Sequence, residues 1–418
     1  MRIIADLHIH SRYSRACSKD LTLPNIALWC RKKGIGLVGT GDFTHPAWFA
    51  SMEKELEPHE SGFYKLTTDN LQLTTFFVPT AEISCIYSRG GKVRRVHTIV
   101  VAPTLAVVKK INTRLAAIGN IHSDGRPILG LDVEELAKII FDASPECLVI
   151  PAHAWTPWFA VFGSQSGFNS LEECFGGMTK HIYAIETGLS SDPKMNWRLS
   201  QLDRITLISN SDAHSLPNLG REANVLDLPK PSYATFVDAI RKKDPARFLY
   251  TIEFFPEEGK YHVDGHRVCG VRLTPAETKK HNGRCPKCKK PVTVGVLYRI
   301  DALANRKEGE RPANAIPYKS IVPLQEIIAE TLDVGKQSKR VQATYEKIVT
   351  RGKSEFALLL DVPYDALENL VGDPRIVEGI RRVREGALTI LPGYDGEYGT
   401  IRIFTDAERV KNKQQKLL

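Results

Sequence analysis

The chain has 418 residues, 42% hydrophobic and 25% charged, which is ordinary for globular protein and too long for one ordinary core, so two or three domains are expected. Its 57 lysines and arginines exceed its 48 aspartates and glutamates for a net charge of +9, a balance that suits a polyanionic partner. Eight cysteines in so long a chain exclude a disulfide framework, and the apolar runs are too short to span a membrane. With no apolar h-region after Met1-Arg2, the expectation is a cytoplasmic protein without a membrane partner.

In chain order, Ile3-Ile4-Ala5 reads as a buried strand leading into Asp6-Leu7-His8-Ile9-His10. Residues two apart on a strand face the same way, so His8 and His10 present paired imidazoles, the beginning of a metal site. A helix opens near Pro24 and stops at Gly34. Ile35 to Val38 is a strand ending on Gly39-Thr40-Gly41-Asp42-Phe43-Thr44-His45, and Phe76-Phe77-Val78 leads to Glu82. Val96 to Val101 is a strand carrying His97. Strands at 147–150, 182–185 and 205–208 lead to His153, to Glu186-Thr187-Gly188 and to Ser211-Asp212-Ala213-His214. Strands alternating with helical stretches predict an α/β domain with parallel strands over residues 1–245.

His8, His10, Asp42, Glu82, His153, Asp212 and His214 all lie at or just past the carboxyl ends of these strands, the face on which a parallel barrel builds its active site. So many imidazoles and carboxylates exceed the needs of one metal. They predict a cluster of two or three divalent ions (zinc, manganese or magnesium), with His45 and His97 as further ligands and Glu82 as a bridging carboxylate. Glu82, His153, Asp212 and His214 are the candidate catalytic residues, His214 being either a ligand or a proton donor. Trp155, Trp158, Gln165 and Phe168, just beyond His153, are candidates for holding a base by stacking and edge contacts, or are loop packing. The turn at 120–127, with His122 and Arg126, is either a phosphate contact or an ordinary loop.

These motifs, in this order over about the first 220 residues, resemble the PHP (polymerase and histidinol phosphatase) superfamily. That resemblance implies a distorted (β/α)7 barrel with a multinuclear metal site that hydrolyses phosphate esters. The chain departs from the family pattern at Ser14-Arg15-Ala16-Cys17-Ser18, where an acidic or histidine ligand is usual, and at Thr40-Gly41-Asp42.

Residues 246–300 contain His266-x-x-Cys269 and, fifteen residues on, Cys285-x-x-Cys288, the spacing of a tetrahedral structural zinc site. His262 and His281 are alternative fourth ligands. Residues 301–410 read as a basic, mainly helical domain. Helices are expected from Pro323, across residues 336–353, after Pro363 and over 375–384, followed by a closing pair of strands. Lys336, Lys339 and Arg340 are candidates for a DNA track, against the plainer reading of a solvated helix face. The tail, 411–418, is expected to be disordered, and its Gln414, Leu417 and Leu418 resemble a short sliding-clamp-binding peptide.

Barrel, zinc knuckle and basic helical domain together resemble the endonuclease Q family of DNA-repair nucleases, carried by Gly39-Thr-Gly-Asp42-Phe-Thr-His45-Pro46, Pro151-Ala-His153-Ala-Trp155-Thr-Pro-Trp158, Glu186-Thr-Gly188 and Ser211-Asp212-Ala-His214. The resemblance implies cleavage of the phosphodiester 5′ of a deaminated base (deoxyuridine, deoxyinosine, deoxyxanthosine) or an abasic site in double- or single-stranded DNA, the lesion nucleotide flipped into the barrel. The alternatives are a PHP phosphatase acting on a small phosphomonoester, for which the basic C-terminal half is superfluous, and a DNA-binding module with a degenerate barrel, against which the ligand set speaks.

Overall fold

A computed structural model describes residues 1–68, 75–352 and 354–408. The strand Arg2–Asp6 pairs in parallel with Leu37–Gly39, which pairs in parallel with Phe76–Val78. The hairpin of Thr80–Arg89 and Lys92–Val101 follows, and Leu148–Pro151 lies antiparallel to its second arm. Ala184–Glu186 and Thr206–Ile208 form a parallel pair. Single backbone bonds join these pieces: Phe43 N to Thr80 O (3.2 Å), Ala154 N to Glu186 O (2.9 Å) and His10 N to Ala213 O (3.0 Å). The last returns to the first strand and closes the ring.

The expectation of parallel strands fails at Lys92–Val101, which runs against both neighbours. The physical reason is Gly90-Gly91: both have positive φ (61° and 70°), the conformation of a two-residue turn that sends the chain straight back. Reversal places His97, midway along this strand, beside Pro151, at the face where the neighbouring strand ends.

The predicted boundary at 245 falls elsewhere in the structure. Phe248–Glu253 pairs with Ala223–Asp227, itself paired with Arg2–Asp6, and Tyr318–Ser320 adds beyond it. The barrel sheet therefore continues past 245, and the module that carries His266, Cys269, Cys285 and Cys288 is an excursion between two of its strands. Within that module Asp264–His266 and Val271–Leu273 form a hairpin, followed by the helix Pro275–Lys280. The helix Val296–Leu303 ties it to the barrel: Arg299 donates from Nε to Phe162 O (3.0 Å) and from Nη2 to Phe168 O (2.8 Å), fixing the loop after His153.

The C-terminal helices are Leu324–Leu332, Lys339–Gly352, Tyr364–Val371 and Pro374–Glu385, with a hairpin of Thr389–Leu391 and Thr400–Arg402. They dock on the helix Leu23–Lys33, which ends at Gly34 in the left-handed region. The contact includes a buried ion pair, Lys33 Nζ to Glu355 at 2.8 Å. Glu355 also accepts from Tyr345 Oη (2.8 Å) and Leu324 N (3.0 Å), so the buried carboxylate is fully partnered. Among the described residues no helix is long and apolar enough to cross a membrane. The clamp-like residues Gln414, Leu417 and Leu418 lie outside the described residues.

Candidate metal centre

Three site residues sit at strand ends with left-handed backbones: Asp42 (φ 50°), His153 (φ 29°) and Asp212 (φ 46°). Such strain in non-glycine residues is held only where the surroundings over-determine it. Here they do. Asp6 accepts from Ser211 N (3.0 Å) and Gly220 N (2.9 Å), pinning the backbone beside Asp212. Burial pushes the Asp6 carboxyl up to about 6 against those hydrogen bonds. Arg221 grips the other side, donating from Nε to Ser211 O at 2.7 Å. His153 N donates to Glu186 Oε2 at 2.8 Å, and Gly188 is glycine because a Cβ there would stand 2.6 Å from the His153 Cβ.

Two groups of ligand atoms converge at the barrel mouth, each with all its members within 4.8 Å of one another: His8, His10, Glu82 and Asp212, and Glu82, His97 and His153. Glu82 belongs to both. Its Oε1 lies 2.6 Å from His97 Nδ1 and 3.0 Å from His153 Nε2. Its Oε2 lies 3.5 Å from His8 Nε2 and 3.3 Å from His10 Nε2. Asp212 Oδ1 is 3.1 Å from His10 Nε2 and 3.7 Å from His8 Nε2. The buried His8 Nε2 has no hydrogen-bond partner, an orphan that a metal would satisfy. The donors are imidazole nitrogens and carboxylate oxygens, which suit zinc or manganese.

A second row of residues aims these donors. His8 Nδ1 faces both Glu186 oxygens (3.1 and 3.0 Å), which fixes Nε2 toward the cavity. His10 Nδ1 lies 3.0 Å from Asp42 Oδ1. Burial would lower the pKa of His8 and His10, but facing carboxylates outweigh it and hold both well above the imidazole range. At His97 burial wins over Glu82 and pushes the pKa down to about 4. Glu82 and Asp212 remain ionised because His97 and His8, respectively, with their neighbours, overcome the burial that opposes ionisation.

The remaining sequence candidates fall elsewhere. Asp42 stands behind His10 and belongs to neither group: its Oδ2 is taken by Ser11 N (2.6 Å) and Ser11 Oγ (2.7 Å). His45 precedes the helix Pro46–Glu55 and stacks on Tyr13 with ring centroids 4.5 Å apart. His214 rests on His10 at 4.6 Å, with Nδ1 against Asp212 O (2.9 Å), and burial lowers its pKa. Glu186, absent from the sequence candidates, and Arg126, there a candidate phosphate contact, also matter here. Glu186 ended a predicted strand, as the ligands did, and Arg126 reaches in from the 120–127 turn to place Nη1 3.0 Å from Glu82 Oε2.

Beside the second group opens a cavity of about 400 Å³, lined by His97, His153, Trp158, Phe159, Tyr261 and Asp212 among others. Trp158 is 44% exposed at its wall. The neighbouring candidates are not there. Trp155 is buried, donating from Nε1 to Asn196 Oδ1 (2.7 Å), and Phe168 is buried beneath Arg94. Both are core packing for the loop. Gln165 is exposed and does not line the cavity.

In the small module the ligand atoms of His266, Cys269, Cys285 and Cys288 lie within 4.8 Å of one another, a group able to hold a metal ion, which leaves out His262 and His281. Burial raises the Cys285 thiol, but backbone N–H groups of Cys288 and Lys287 overcome it and hold it at about 7, favouring the thiolate that binds metal. Lys336 pairs with Glu326 at 2.8 Å, while Lys339 and Arg340 are exposed at the start of their helix.

A family profile described as PHP-associated matches residues 197–245, and one described as the MJ0043 C-terminal domain matches residues 323–387. The uncharacterized protein YqxK of Bacillus subtilis (strain 168) is 30% identical over 413 residues, covering 96% of this chain and 99% of its own. The uncharacterized protein MJ0043 of Methanocaldococcus jannaschii is 31% identical over 292 residues, covering 68% of this chain; the match spans 35% of that longer relative. The crystal structure of the lesion-specific endonuclease PfuEndoQ from Pyrococcus furiosus is similar with TM-score 0.85 and 31% identity, over 100% of this chain and 99% of that one. A crystal structure of endonuclease Q with a 27-mer duplex carrying an abasic lesion at the active site gives TM-score 0.83 and 33% identity, over 97% of this chain and 98% of that one. With likeness of this degree over the full length of both structures, the chain belongs to the endonuclease Q family.

Proposed function

We propose that this protein is a metal-dependent DNA-repair endonuclease that cuts the phosphodiester on the 5′ side of a deaminated base or an abasic site. The observation that carries the reading is the pair of ligand groups sharing Glu82 beside an aromatic-walled cavity, in a chain similar over its whole length to endonuclease Q bound to abasic DNA. A phosphodiester resists hydrolysis because its charge repels nucleophiles and its leaving oxygen is a poor one. His8, His10, Glu82 and Asp212, and Glu82, His97 and His153, would hold divalent ions, which when bound would supply Lewis acidity and activate water near neutral pH.

The protein groups do the rest. Glu186 and Asp42 orient the imidazoles of His8 and His10. His214 is the barrel-mouth imidazole outside both groups, with Nδ1 engaged by Asp212 O, so its Nε2 carries the proton to the leaving 3′ oxygen. Burial lowers its pKa and so disfavours the charged ring, and the negative charge of the substrate opposes that effect. The products are a 3′ hydroxyl and, on the lesion nucleotide, a 5′ phosphate. Flipping a nucleotide costs a few kcal/mol, least where the base is mismatched or missing, which itself favours lesions. The cavity of about 400 Å³ is of ligand-pocket size, and Trp158 offers a stacking face. The zinc module and the exposed Lys339 and Arg340 hold the flanking duplex through its phosphates.

The test is cleavage of labelled duplexes bearing one deoxyuridine, one deoxyinosine, one abasic site or no lesion, with zinc, manganese or magnesium. Lesion-dependent cutting that disappears in Asp212→Asn supports the reading. Release of phosphate from small monoesters without any cut in DNA would replace it with the phosphatase.

A further inference from the structure

We infer that Arg126 binds the scissile phosphate, its guanidinium meeting the free oxygens as negative charge builds on them. The inference rests on the nuclease reading above. It starts from where the residue is held. The turn at 120–127 is fixed against the barrel by Gly125 N to Tyr13 O (3.1 Å) and Thr44 Oγ1 to Gly125 O (3.1 Å), and braced within itself by Arg126 N to Asp124 Oδ1 (3.0 Å). Gly125 is packed so closely that a Cβ would stand 2.4 Å from Asp42 Oδ2 and from Ser14 Oγ. A rigid turn thus delivers one arginine to the centre of the ligand set, where Nη1 lies 3.0 Å from Glu82 Oε2. That oxygen is the one His8 and His10 also approach. The side chain is 27% exposed, so it borders the opening rather than the core.

The plainer account makes Arg126 a partner that neutralises a buried glutamate. Charge argues against it in the working enzyme. Glu82 and Asp212 in the ligand groups, with Glu186 and Asp42 directly behind them, make four carboxylates, and two divalent ions already balance these without any arginine. A further guanidinium then repels the metals unless an anion is present. A phosphodiester and a hydroxide are such anions, and during attack the charge moves from the hydroxide onto the free phosphoryl oxygens. Arginine presents paired N–H groups in a planar fork that matches those oxygens, and it stays charged at any working pH.

The experiment uses the full chain as parent, Arg126→Ala and Arg126→Lys. Metal content is read by elemental analysis, zinc affinity by chelator competition, binding of inorganic phosphate to the metal-loaded protein by calorimetry, and single-turnover cutting of an abasic duplex with and without added ethylguanidinium. Arg126→Ala should keep its full metal content and bind zinc more tightly. It should bind phosphate more weakly and cut roughly 10²–10³-fold more slowly, the usual loss for one donor aimed at a developing oxyanion. Ethylguanidinium should restore part of that rate, and Arg126→Lys should fall between. Unchanged phosphate binding, or a rate loss that follows metal loss and resists rescue, overturns the inference. The phosphate measurement needs no DNA, so it decides Arg126 even if the parent cuts no lesion, a result that would count against the nuclease reading instead.

Discussion

Glu186→Gln should weaken barrel metal binding although residue 186 is not a ligand. Glu186 accepts from three donors: His8 Nδ1 (3.1 and 3.0 Å), His153 N (2.8 Å) and Asn210 Nδ2 (2.9 Å). A glutamine places an NH₂ where one oxygen stood, so a donor then faces a donor. Asn210 cannot turn to relieve this, because its Oδ1 already accepts from Leu7 N (2.9 Å) and Asn224 Nδ2 (2.9 Å). One buried donor is therefore left unmade, at about 1–3 kcal/mol. The charge that fixes the His8 tautomer is lost with it. Loss of such an orienting partner lowers metal affinity roughly 10- to 100-fold, about 1.4–2.7 kcal/mol. The assay is zinc competition against a chelator, with circular dichroism to confirm the fold. A folded variant whose zinc affinity stays within about twofold of the parent would refute the reasoning, since a shift that small lies well below the effect of an orienting partner.

Asp42→Asn should act likewise through His10, weakening zinc while leaving the number of ions bound unchanged, read by elemental analysis at saturation. Cys285→Ser should release one zinc per chain from the small module while barrel metals remain, measured as metal content after dialysis. Trp158→Ala should slow cutting at deoxyuridine and deoxyinosine more than at an abasic site, because the last has no base to stack; a stacked base is worth about 1–3 kcal/mol, and equal losses on all three would exclude stacking. Burial, with the negative charge of Asp192, pushes the Glu253 carboxyl up to about 8 against hydrogen bonds from the hydroxyls of Thr251, Ser209 and Thr187. A raised folded-state pKa gives stability that is fully present below the unfolded value of about 4.5 and lost as pH rises through 8. Glu253→Gln should therefore flatten the decline in Tm between pH 5 and 9, and an unchanged slope would show that Glu253 is not the titrating group.

The ligands were readable because strand ends in an α/β ring converge on one face whatever the loops do. His8, His10, Glu82, His153 and Asp212 come together on that logic alone. Position could not say which strand-end carboxylate faces the cavity. Asp42 and Glu186 both end strands, yet the left-handed backbone at Asp42 turns its carboxylate back on Ser11 and His10, and Glu186 is taken up by His8, His153 and Asn210. Gly90-Gly91 was a hairpin signal in plain view, and reading it would have reversed the strand that carries His97. Trp155 and Trp158 stand three residues apart in one loop; Asn196, distant in sequence, decides that the first is core. Arg126 was readable as a candidate phosphate contact but not as a neighbour of Glu82, because that meeting depends on how the turn packs against Tyr13 and Thr44.

The measurement closest to the central claim is single-turnover cleavage of an end-labelled duplex with one abasic site, in chelated and metal-restored protein, with both new ends identified. The account predicts one metal-dependent cut immediately 5′ of the lesion, leaving a 3′ hydroxyl and a 5′ phosphate, and none in the undamaged duplex. A cut on the 3′ side, cutting without metal, or equal cutting of undamaged DNA would contradict it.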